Sequence, residues 1–125
     1  MVVDTSALIA ILLLEPEAER CARTIAGART RLLSAASRFE AGIVIEGRLG
    51  LEAGGDLDDF VADVGLEIEP VTADQVRVAR RPIEPTAEAI IQPSLSFGDC
   101  FASALLKITS FRSVATNSPQ STLCR

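Results

Sequence analysis

Met1-Val2-Val3-Asp4-Thr5-Ser6-Ala7-Leu8, continuing into Ile9-Ala10-Ile11-Leu12-Leu13-Leu14, decides how the chain is read. A short β-branched run ends on an acid, passes two hydroxyl residues, and turns apolar at helical spacing. The pattern predicts a strand, a tight turn and a helix, with Asp4 at the carboxyl end of the strand. In open α/β sheets that edge is where ligands bind, because the loops diverge there and leave a crevice. An aspartate in this position can equally be a plain helix cap. Thr5 and Ser6 offer hydroxyl caps of their own, which would leave Asp4 for another task.

The following segments repeat the alternation. Glu15-Pro16-Glu17-Ala18-Glu19 reads as a helix start, with Pro16 at the first helical position and Gly27 as the stop. Arg31-Leu32-Leu33-Ser34 reads as a strand, and the chain from Ser34 to Leu49 as a helix ended by Gly50. Gly54-Gly55 reads as punctuation before a short amphipathic helix, Leu57 to Val64, whose Asp56, Asp58, Asp59 and Asp63 form a solvated face. Glu67 to Val71 alternates like a strand, and Thr72 with Gln75 forms a capping box for the next helix. Residues 82–94, with three prolines and no basic residue, read as a divergent loop. Leu95 to Thr109 enters a helix, Arg112 to Thr116 resembles an edge strand, and 117–125 an irregular polar tail. Strands alternating with helices predict a single α/β domain over 1–125, built on a small parallel sheet with helices on both faces.

Composition narrows the chemistry. With 125 residues and 48% hydrophobic content the chain can bury a real core without disulfides. The apolar run at the start is too short to span a bilayer and no basic region precedes it, so a cytoplasmic protein without a membrane segment is expected. Three scattered cysteines fit a reducing compartment. There is no histidine, which removes Ser-His-Asp triads, Cys-His nucleophiles and the usual zinc sites. Catalysis must then come from carboxylates, which gather hard cations such as Mg²⁺ or Mn²⁺. A net charge of −5 opposes binding nucleic acid by simple phosphate neutralisation, although a bound cation reverses the local field.

Three acids stand out. Glu40 falls among the apolar positions Ala36, Phe39, Ile43, Val44 and Gly47 of its helix, an awkward place for an unpaired carboxylate. Its plain reading is an ion pair with Arg38 or Arg48. Glu46 reads as solvated. Asp99 follows Gly98 at a helix start, where a cap is the plain reading. Converging at one sheet edge, Asp4, Glu40 and Asp99 would suit a divalent metal and would repel one another without it.

These stretches resemble a family. Val2-Val3-Asp4-Thr5-Ser6-Ala7-Leu8, then Ser34-Ala35-Ala36-Ser37 with Glu40, then Leu95-Ser96-Phe97-Gly98-Asp99-Cys100-Phe101-Ala102 look like the ordered motifs of PIN-domain proteins, most closely the VapC-type toxins of bacterial toxin–antitoxin pairs. The resemblance implies a three-layer α/β/α sandwich and a Mg²⁺- or Mn²⁺-dependent endoribonuclease. It also implies a cognate antitoxin, an RNA substrate and a homodimer. Asp4, Glu40 and Asp99 match the metal-binding acids, and Ser6 a hydroxyl position supporting them. A haloacid-dehalogenase-type phosphatase would need an acid at Ser6, and a receiver domain a further early acidic pair.

Two blocks depart from the family pattern. Residues 82–94 lack its basic stretch, and no acid follows Asp99: the position of a fourth acid falls at Ala115-Thr116-Asn117-Ser118, where Asn117 and Ser118 offer only neutral oxygens. This favours a weakened site or, as the alternative, a catalytically silent PIN-like protein that still binds an antitoxin. Because both blocks lie between or after well-matched ones, an altered reading frame or a degraded copy would account for them. On the first account, translating the coding DNA in all frames is expected to return a family-like peptide with the missing acid; its absence from every frame would remove that account.

Overall fold

The computed structural model describes residues 1–79 and 101–108, with the backbone of 123–124. At its centre is a parallel sheet of β1 (Val2–Val3), β2 (Leu32–Ser34), β3 (Glu67–Glu69) and β4 (Leu123–Cys124), in the order β3-β2-β1-β4. The chain lays down three neighbouring strands in one direction, then returns to the far side of β1. Register places Val2 opposite Leu32 and Leu123, and Val3 opposite Leu33 and Cys124.

Side chains alternate across a strand, and this divides the core in two. Val3 and Leu33 face one side, with Ala7, Leu8, Cys21, Ile25, Ala41, Leu57, Val61 and Leu66. Val2 and Leu32 face the other, against Ala102 and Leu105 of the helical segment 101–108. The first layer is formed by α1 (Thr5–Leu12), α2 (Ala18–Gly27), α3 (Ala35–Leu49) and α4 (Ala53–Asp63). Leu8, Ile25, Leu33, Ile45 and Leu57 are fully buried, each contributing about 1.5–3 kcal/mol relative to exposure. The result is the expected α/β/α sandwich.

Local chemistry accounts for the helix ends. Ser34, in extended backbone, caps α3 by accepting the Ala36 N–H at 3.3 Å. Gly50 stops α3 at φ +97°, a conformation that side chains with a Cβ disfavour. Before α5 (Ala73–Ala79), the Thr72 hydroxyl accepts the Gln75 N–H at 3.2 Å, one half of the expected capping box. The buried Gln75 Oε1 has no hydrogen-bond partner among the described residues, so the reciprocal bond to the Thr72 N–H is not made. Arg31 braces the amino end of the sheet. Its guanidinium donates to the carbonyls of Ala26 and Ala28 at the end of α2, and to Val64 at the end of α4. A cation there complements the carbonyl-rich helix termini.

Several expectations are corrected. Glu15, Pro16 and Glu17 form a turn, and α2 begins only at Ala18. Gly54 and Gly55 lie inside α4 instead of punctuating the chain. Gly54 sits where α3 and α4 approach closely: a Cβ there would lie 2.2 Å from Glu46 Oε1. Glu46 is accordingly half-buried over Gly54, not solvated. The tail over 117–125 supplies β4 instead of being wholly irregular. The loop 82–94 and the strand expected over 112–116 lie outside the described residues.

The largest correction concerns α3. Its core face is Ala36, Ser37, Ala41, Gly42 and Ile45, mostly small residues that let the neighbouring elements approach. Phe39 and Ile43, the bulkiest residues of the stripe inferred from spacing, are 66% and 57% exposed. Urea melts will show the difference: Ile45→Ala is expected to cost about 2–5 kcal/mol, and Ile43→Ala no more than about 0.5 kcal/mol.

Candidate active site

Asp4 is the first residue beyond β1 and caps α1. Its backbone is extended (φ −95°, ψ 157°), and its Oδ1 accepts the Thr5 N–H at 2.8 Å. The exposed Ser6 donates its hydroxyl to Oδ2 at 3.2 Å. The capping task that sequence reasoning offered to Thr5 and Ser6 therefore falls to Asp4 itself, and Ser6 becomes a donor to it. The carboxyl group is only 1% exposed, and such burial is tolerable because donors are fixed around it.

Topology puts this group at a special place. The strand order reverses between β1 and β4, and the carboxyl ends at such a switch open into a crevice. Since Val3 pairs with Leu33, the next level of the sheet holds Asp4 and Ser34, and Ser34 pairs onward with Glu69. An acid, a buried hydroxyl and a second acid thus share one row of the carboxyl edge.

Glu40 projects from α3, half-buried on the shoulder between the core face and the exposed Phe39 and Ile43. It is less deeply enclosed than its apolar neighbours in sequence imply, because those neighbours face solvent. Arg38 pairs instead with Asp58 on α4, and Arg48 is exposed. The start of α3 is tied to α1 by a separate contact: Thr5 Oγ1 donates to the Ser37 carbonyl at 3.4 Å, with both residues buried. Sequence reasoning offered Thr5 only as a local cap and missed its bond to Ser37, since a hydroxyl reaching a backbone carbonyl 32 residues away leaves no local signal.

Asp99, Asn117 and Ser118 lie outside the described residues. Among the described residues no group of three acids, cysteines or histidines is gathered tightly enough to hold a metal. Asp4 and Glu40 each offer hard carboxylate oxygens, the donor type suited to Mg²⁺ or Mn²⁺.

The family model described as "PIN domain" matches residues 1–119, and the chain belongs to the PIN-domain family. Within that class it is similar to proteins named as VapC ribonucleases. It is 38% identical to Ribonuclease VapC30 of Mycobacterium tuberculosis, over 87% of this chain and 83% of that protein. It is 39% identical to Ribonuclease VapC of Mycolicibacterium smegmatis, over 87% and 84%. Among solved structures, Mycobacterium tuberculosis VapC20, described as a sarcin-ricin loop cleaving toxin, superposes with a TM-score of 0.65. It covers 86% of this chain and 82% of its own at 19% identity, a likeness of fold.

The donor set can be checked by calorimetric titration with Mn²⁺. Binding is expected for the wild type and is expected to be lost in Asp4→Asn, which keeps the cap's acceptor oxygen but removes the charge. Equal affinity of the two proteins would separate Asp4 from the cation.

Proposed function

We propose that the protein is a Mg²⁺- or Mn²⁺-dependent endoribonuclease toxin of a toxin–antitoxin pair, hydrolysing RNA phosphodiester bonds at Asp4, Glu40 and Asp99. The observation that carries this reading is the buried Asp4 carboxyl group at the β1/β4 switch, in a chain of the PIN-domain family. Relatives named as ribonucleases across more than four-fifths of their length support the active reading over the silent one.

Each residue has a distinct task in this reading. Asp4, held by Thr5 N–H and Ser6 Oγ, is the fixed anchor of the site. Glu40, on the shoulder of α3, faces it with a second negative charge. Asp99 is the third acid, with Asn117 and Ser118 as neutral supporting oxygens in place of a fourth. When bound, a divalent cation supplies Lewis acidity and offsets the phosphate charge. Ser6 keeps Asp4 Oδ2 oriented. The exposed Phe39 and Ile43 beside Glu40 offer apolar contact area at the rim.

The proposal extends to a cognate antitoxin that masks this edge, a homodimeric state and action in the cytoplasm. Among the described residues no helix is long and apolar enough to cross a membrane.

Purified protein is expected to cleave RNA in the presence of Mg²⁺ or Mn²⁺ and to stop when EDTA is added. Asp4→Ala should lower the rate by at least about 100-fold, since losing an outer partner of a metal ligand already costs about 10- to 100-fold. Intact RNA in the presence of either metal, with antitoxin binding retained, would instead establish the silent reading.

A further inference from the structure

We infer that Thr5 is a positioning residue that sets the separation of Asp4 and Glu40 and thereby the cation affinity of the site. The inference rests on the reading that these two acids share a cation. Its basis is that one buried residue holds both halves of the acidic pair. The Thr5 backbone N–H fixes Asp4 Oδ1 at 2.8 Å, and the Thr5 hydroxyl donates to the Ser37 carbonyl at 3.4 Å. Ser37 lies in the first turn of α3, and Glu40 is three residues further on, which places both on one flank of the helix.

Around this contact the packing of α1 on α3 is apolar and small: Ala7 and Leu8 belong to the same core as Ala41. Apolar contacts hold two helices together but resist sliding only weakly, whereas a hydrogen bond requires a particular register. Two carboxylates that share a cation repel each other before it arrives, and a hydrogen bond that fixes the register of their two elements acts against that repulsion. Thr5 is placed to provide that bond.

The geometry also predicts that the tie is cheap to remove. At 3.4 Å it is long for an O–H···O bond, and Ser37 keeps its place in the helix without it. Thr5→Val preserves shape and removes the hydroxyl; Thr5→Ser restores it without the methyl group. Ser37 accepts through its backbone, so its side-chain identity is not required for this contact.

The test is Mn²⁺ titration by calorimetry of wild type, Thr5→Val, Thr5→Ser and Val61→Ala, each with a thermal melt. Val61 is buried on α4 in the same core and serves as a control for stability alone. Thr5→Val, which keeps the backbone N–H on Asp4 and loses only the hydroxyl, is expected to bind Mn²⁺ about 2- to 10-fold more weakly, the range spanned by one neutral hydrogen bond, with Thr5→Ser close to wild type. Val61→Ala is expected to lower the melting temperature and leave affinity unchanged. Unchanged affinity in Thr5→Val, or an equal loss in Val61→Ala at matched melting temperature, would overturn the inference while leaving the shared-cation reading intact. Failure of the wild type to bind Mn²⁺ would remove both.

Discussion

The structure depends on one constraint: a carboxyl group that is 1% exposed must be satisfied where the first strand becomes the first helix. Asp4 meets it by taking the Thr5 N–H, which a helix start leaves without an intrahelical partner. The same bond fixes where α1 begins relative to β1. Because β1 lies between β2 and β4, every other element takes its place from that junction. The cap and the candidate site are one group, so the local need of a helix terminus and the needs of chemistry coincide at Asp4.

Close packing around that junction is achieved by small side chains. Ala36, Ser37, Ala41 and Gly42 line the buried face of α3, so α1 and the sheet come near enough for a Thr5 hydroxyl to reach the Ser37 carbonyl. On the other flank, Gly54 accommodates the Glu46 side chain between α3 and α4. The bulky residues of α3 are displaced to its outer surface, where Phe39 and Ile43 flank Glu40. An acid beside apolar surface at the mouth of a crevice suits a site that meets both a polyanion and a protein partner.

Much of this was legible from the chain alone. The β-branched run at Val2-Val3, the Ser34 and Thr72 caps and the Gly50 stop are local signals with local causes, and each lies where spacing put it. The errors share a cause. The sequence reads Gly54-Gly55 as a break because glycine disfavours helices, whereas the structure carries α4 through both, with Gly54 buried beneath the Glu46 side chain. The α3 stripe was read as core because burial usually follows bulk, and here the neighbours demanded small residues instead.

The sequence by itself determined the alternation of strands and helices from Met1 to Ala79, the exclusion of imidazole and zinc chemistry, and the candidacy of Asp4 and Glu40. These follow from periodicity, from the absence of histidine, and from acids at a strand end and within an apolar stripe. Only the tertiary structure decided that Asp4 caps its own helix, that Glu40 sits on a shoulder instead of in the core, and that Thr5 joins their two elements. Such facts depend on which segments meet across 30 or more residues, and no local pattern encodes a hydroxyl that bonds to a distant backbone carbonyl.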